Sequence, residues 1–170
     1  MRVNMRIKVL GWTFFLMLAK TQTLEGVTSC CFDENGKPDR MHFPMWDLEG
    51  CTLEEACKSL QNVQEKYCLG DIFVTSDRIG SYRAWCFTRV PFKTYLHILL
   101  DTKYLDWNFF YWTVHRGKAT LRTSIKQGRQ PQKVVKVLRG YPEMFPKRVE
   151  QVTYDTGTEK KGRNILLGDD

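Results

Sequence analysis

The chain has 170 residues, is 42% hydrophobic, 26% charged and 13% aromatic, and carries a formal net charge of +7. It is too apolar for a disordered chain and suits one domain. No stretch approaches the roughly 18–20 apolar residues of a membrane-spanning helix. No nucleic-acid partner is expected either, because aromatic residues do not interleave with the basic ones as they do on a stacking platform.

The N-terminus sets Arg2, Arg6 and Lys8 before an apolar run from Val9 to Ala19. This is the layout of a secretory signal peptide, so residues 1–21 are expected to be processed, with cleavage between Ala19 and Gly26. The protein is then secreted and extracellular. Its six cysteines, Cys30, Cys31, Cys51, Cys57, Cys68 and Cys86, are an even set. Disulfides are the default for such a set in an oxidising compartment, with the pairing left open. No close Cys-x-x-Cys pair occurs, so no metal site is expected. No Asn-x-Ser/Thr site occurs, so no N-glycosylation is expected.

Charge is uneven. Residues 27–79 hold five basic and ten acidic side chains, and residues 80–150 hold fourteen basic and four acidic. From Arg116 to Arg139 there are eight basic residues and no acidic one. That run is a possible contact for an anionic surface, or a solvated face that pairs with the acidic half. The second reading is favoured.

In chain order, Glu34-Asn-Gly-Lys-Pro38 reads as a turn. Thr52-Leu-Glu-Glu55 reads as a capping box opening a short helix over 53–62. Strands are expected at 70–75, 81–90, 94–100, 107–115 and 118–126, spaced as in an antiparallel meander. On the last of these, alternation places Ala119, Leu121, Thr123 and Ile125 inward. Residues 130–139 read as a helix led by Pro131, with Val134, Val137, Leu138 and Tyr141 as its apolar stripe. Residues 149–154 read as a closing strand, and 156–170 as a polar tail. The strands at 94–100 and 107–115 are apolar on both faces, which a flat sheet with one wet face does not explain. The expected fold is therefore mainly β, an antiparallel meander closing into a β-barrel with a short C-terminal helix, and with a disulfide-bonded N-terminal half.

This order of elements resembles the lipocalin family, its apolipoprotein D-like and insect members in particular. Leu99-Leu-Asp-Thr-Lys-Tyr104 resembles the family's Thr-Asp-Tyr strand end, and Trp107-Asn-Phe-Phe-Tyr-Trp112 the strand after it. Gly70-Asp-Ile-Phe-Val resembles a Gly-x-Ala-x-Val strand, and Gln130–Tyr154 the helix and closing strand. The resemblance covers residues 67–155. The family's first-strand Gly-x-Trp is absent, with His42-Phe-Pro-Met-Trp46 in its place. The resemblance implies a single lipocalin-like domain over 27–155 and a cavity lined by Tyr82, Ala84, His97, Leu99, Phe110 and Trp112. It also turns Thr120, Arg122, Ser124 and Lys126 inward, in conflict with the alternation.

No catalytic motif is present: Gly-x-Ser-x-Gly, His-Glu-x-x-His and phosphate-cradling loops are all missing. The expected protein is no enzyme and needs no cofactor. It is a secreted carrier of a small hydrophobic ligand such as a lipid, sterol or retinoid. The competing expectation is a cysteine-rich effector or toxin-like protein acting by protein–protein binding. An open sheet, or an interior filled by its own side chains, favours the effector.

Overall fold

The computed structural model describes residues 2–9, 12–19, 24–33, 35–125, 129–141, 148–155 and 158–166, with side chains described within 24–33, 35–125, 129–141 and 149–153. Strands β1 (Arg2–Val9) and β2 (Trp12–Ala19) pair as an antiparallel hairpin. There follow β3 (Leu24–Phe32), β4 (Pro38–His42), β5 (Met45–Glu49), α1 (Leu53–Lys66), β6 (Ile72–Arg78) and β7 (Ser81–Cys86). Next come β8 (Val90–Pro91), α2 (Phe92–Leu100), α3 (Trp107–Arg116), β9 (Thr120–Arg122) and β10 (Lys133–Leu138). The last two strands are β11 (Arg148–Asp155) and β12 (Thr158–Leu166), which pair with each other, so part of the polar tail is strand. The molecule is mainly antiparallel β with three helices.

One sheet has the order β10-β6-β7-β5, and the other β12-β11-β3-β4-β8, with β9 also paired to β3. Among the described residues neither sheet closes on itself, so the expected barrel is not formed. In the first sheet, cross-strand register puts Ile72 opposite Cys86, Val74 and Trp46 opposite Ala84, and Leu48 opposite Tyr82. All of these are buried and share one face. Leu138 pairs with Ile72 on that face, and its carbonyl accepts from Gln64 Nε2 of α1 at 3.1 Å, which places α1 against it. Ala56, Leu60 and Val63 complete the packing from α1, and each large aliphatic chain buried there contributes about 1.5–3 kcal/mol.

The capping box is formed: Glu55 N donates to Thr52 Oγ1 at 3.2 Å, and Thr52 N to the Glu55 carboxylate at 2.8 Å. The turn before β4 is also present, with Asp33 Oδ1 accepting from the N–H groups of Asn35 and Lys37. Strand signals at 70–75, 81–90 and 149–154 correspond to β6, to β7 with β8, and to β11.

Three elements differ from expectation. Residues 94–100 and 107–115 are helices α2 and α3, not strands. Apolar runs of this length do not distinguish strand from buried helix by hydrophobicity alone. The boundary residues did carry the signal. Pro91 stands at the N-cap of α2, Asp106 caps α3 by accepting from Asn108 N at 2.8 Å, and Gly117 ends α3 at φ 68°. The buried residues of α2, Tyr95, Ile98 and Leu99, have helical spacing. Residues 130–139 contain strand β10 rather than a helix. Its β-branched valines pair with β6 across a register shift between Val134 and Lys136. In consequence Val134 and Tyr141 are exposed and form no buried stripe.

Candidate functional site

Of the residues expected to line a ligand cavity, Tyr82, Ala84 and Leu99 share one filled core with Phe110 partly packed against it, while His97 and Trp112 stand outside. Tyr82 and Ala84 lie in the packed core face of β7, and Leu99 is buried on α2. His97 is exposed on α2, Phe110 is half-buried on α3 and Trp112 is exposed there. The interior around them is filled by Trp46, Tyr95, Phe43, Met45, Leu48 and Leu60. Buried polar groups are tied into that packing. Trp46 Nε1 donates to Thr102 Oγ1 at 3.0 Å, and the Tyr95 hydroxyl donates to Met45 O at 2.7 Å.

The six cysteines expected to form disulfides are thiols in this structure. Cys31, Cys51 and Cys86 are buried, Cys30 and Cys57 half-buried, and Cys68 exposed. Burial pushes the Cys31 thiol up to about 12, with Asp39 adding to the effect. A thiol so held is protonated and poorly nucleophilic. Ser29 Oγ and His42 Nδ1 are 2.9 Å apart, but Ser29 is fully buried and its Oγ also accepts from Ala119 N. Burial lowers the His42 pKa, against a weaker opposing effect of Asp39. The pair thus joins β3, β4 and the segment before β9 instead of meeting a substrate.

Four cations of the basic run pair within the molecule. Lys118 pairs with Glu150 at 3.3 Å, Arg139 with Asp71, and both Arg122 and Arg129 with Asp77, at 3.0 and 3.3 Å. Arg83 adds a third guanidinium to Asp77 at 3.7 Å. Burial pushes the Asp77 carboxyl up, but Arg83, then Arg129 and Arg122, outweigh it and hold it below the usual carboxylate range. The expected alternation holds for Ala119 and Leu121 and fails for Thr123 and Ile125, and Lys126 lies outside the described residues. Ala119 and Leu121 are buried, and Arg122 is directed to Asp77. Beyond Arg122 the strand has ended, so Thr123 and Ile125 are exposed.

α3 buries little of its surface. Its one buried residue is Thr113, whose hydroxyl donates to Phe109 O at 2.8 Å. Phe109 and Phe110 pack partly against the core. Trp107, Tyr111 and Trp112 are 70%, 60% and 47% exposed, and Val114 stands beside them. The rings order one another. Trp107 meets Phe110 edge-to-face at 5.6 Å, Tyr111 meets Trp112 at 5.3 Å, and His115 stacks on Tyr111 at 6.0 Å. The Arg116 guanidinium lies 4.9 Å from the Trp112 ring centroid, one helical turn away. The start of the helix is anchored, with Asp106 N donating to Asp47 O at 2.8 Å. Among these residues the sequence singles out only Phe110 and Trp112, and places them in an interior. The Asp106 and Gly117 caps were the signal that turns Trp107, Tyr111 and Trp112 outward.

Comparison with protein-family models, with curated proteins and with solved structures finds no match to any of them.

Proposed function

We propose that the protein acts by binding another protein, with α3 as the contact element. One observation carries this: a ten-residue helix holds Trp107, Tyr111 and Trp112 in solvent while burying Thr113 alone. Clustered exposed aromatic residues mark interaction surfaces. Trp, Tyr and Arg are also the residue types that dominate binding energy where they enter a partner's pocket. The ring contacts along α3 restrict the side chains before binding, which lowers the entropy lost on docking. Arg116, beside the Trp112 ring, can offer its N–H fork to a carboxylate in bidentate fashion. The partner is therefore a protein with an apolar cleft edged by acidic groups. α3 itself carries no acidic residue to repel it. The N-terminal layout and the even cysteine set support an extracellular site of action.

The test places a photo-crosslinking amino acid at Tyr111, with Lys37 on the remote turn as the control position. The crosslinked species is identified, purified and titrated against the wild type and Trp107→Ala/Trp112→Ala. Crosslinking specific to position 111 and at least tenfold weaker binding by the variant are expected. Equal crosslinking at both positions, or unchanged affinity in the variant, overturns the proposal. So does α3-dependent attachment to phosphatidylserine vesicles without any protein partner.

A further inference from the structure

A second surface is independent of α3. Leu53, Glu54, Cys57, Lys58 and Gln61 fall at i, i+1, i+4, i+5 and i+8 on α1, so they share one side of that helix. That side faces Lys136 and Leu138 on β10, the edge strand of its sheet. Helix and strand are separated there by an open groove of about 700 Å³. Its floor is apolar, made by Leu53, Cys57 and Leu138. Two cations, Lys58 and Lys136, also line the groove, with one carboxylate, Glu54. Both lysines are exposed, and among the described residues neither makes an ion pair. Lys118, Arg122, Arg129 and Arg139 of the basic run are ion-paired elsewhere, so Lys136 is not drawn into those pairs and stays at the groove with Lys58. At Gln61 the groove meets a second hollow of about 300 Å³ that reaches Gly140 and Tyr141. The seam follows α1 from Leu53 to Glu65, a rise of roughly 18 Å at 1.5 Å per residue.

We propose that this seam binds a single-chain amphiphile with a carboxylate head, of the fatty-acid type. The chain lies over Leu53, Cys57 and Leu138, and the carboxylate is held by Lys136 and Lys58. An apolar floor with a few oriented polar groups is the usual composition of a small-molecule site, and the volume is in the usual range. Charge decides between occupants. A second copy of α3 would bring Arg116 against Lys58 and Lys136. A neutral lipid would leave both cations without a partner. An added β-strand meets a register shift at Val134/Lys136 and exposed lysines at Lys133 and Lys136, features that protect sheet edges from such pairing.

The experiment titrates dodecanoate, below its aggregation concentration, into the purified full chain by calorimetry, with native mass spectrometry for stoichiometry. Dodecanol, acetate and an acidic Glu/Val peptide are titrated in parallel. Lys58→Glu/Lys136→Glu changes two exposed side chains and is checked for native circular dichroism. Trp107→Ala is the control variant outside the groove. One dodecanoate per chain is expected, with affinity at least tenfold weaker in the double variant and unchanged in Trp107→Ala. Dodecanol should bind at least tenfold more weakly, and acetate should not bind. No uptake, equal uptake of dodecanol, retention of dodecanoate by the double variant, or preference for the peptide overturns the proposal.

Discussion

Arg122 on β9 and Asp77 on β6 meet at 3.0 Å, and this contact crosses from one sheet to the other. Around the same carboxylate stand Arg83 and Arg129. Gln132 strengthens the crossing, donating to Arg122 O at 2.8 Å and accepting from Thr75 Oγ1 at 3.2 Å. The junction of the sheets is thus polar and depends on one anion.

Removing that anion leaves three guanidinium groups facing one another. Asp77→Asn should destabilise the fold by about 3 kcal/mol, the scale for breaking a buried charge pair. Urea unfolding measures it. The Asp77 carboxyl is held below its ordinary value, so its contribution is present above the unfolded pKa and lost as pH falls through the lower folded pKa. The gap between wild type and variant should therefore shrink under strong acid.

Asp47 titrates in the opposite sense. Burial pushes its carboxyl up to about 6, with Arg83 at 3.9 Å opposing and Asp106 and Glu49 reinforcing. A folded-state value above the unfolded one stabilises at low pH, and that stability is lost as pH rises through about 6. Wild-type stability should lose about 2 kcal/mol from this group between pH 4 and pH 8. Asp47→Asn should remove that slope. Denaturant midpoints at the two pH values provide the check, and an unaltered slope in the variant would refute the assignment.

Gly140 passes close to the chain before β6. A Cβ there would lie 2.4 Å from both Leu69 O and Gly70 O. Its N–H donates to Asp71 Oδ1 at 2.9 Å. Both oxygens belong to backbone that Gln64 also holds, through Gly70 O at 2.7 Å. Gly140→Ala should cost about 2 kcal/mol by forcing strands β10 and β6 apart. Thermal melting would show a lowered Tm. An unchanged Tm would mean that the loop yields freely.

The aromatic residues of α3 should show a divorce between stability and binding. Trp107→Ala removes a side chain that is mostly in solvent, so its effect on folding should stay within about 0.5 kcal/mol. Thr102→Val, by contrast, deprives the buried Trp46 Nε1 of its acceptor and should cost about 1–3 kcal/mol. Unfolding curves of the two variants side by side test the contrast. A large loss for Trp107→Ala would show that α3 is structural.

Local chemistry was legible wherever neighbours along the chain decide it. The Thr52–Glu55 box, the Asp33 turn, the strands of β6, β7 and β11, and the inward Ala119 and Leu121 all follow from short-range spacing and side-chain hydrogen bonding. The sequence also determined the charge division, which the pairing of Arg122, Arg129 and Arg139 with Asp77 and Asp71 resolves. Apolarity alone leaves residues 94–100 and 107–115 open between strand and helix; the local caps Pro91, Asp106 and Gly117 point to helix, and only tertiary structure decided which side of each is buried. Tertiary structure also decided residues 133–138, where pairing with β6 overrides the helical spacing of Val134, Val137 and Leu138. Once those segments change period, no barrel wall remains, Tyr82 and Leu99 enter a filled core, and the rings of Trp107 and Trp112 turn to solvent. Which side of an apolar segment is buried is a property of what packs against it, and that lies far away in sequence.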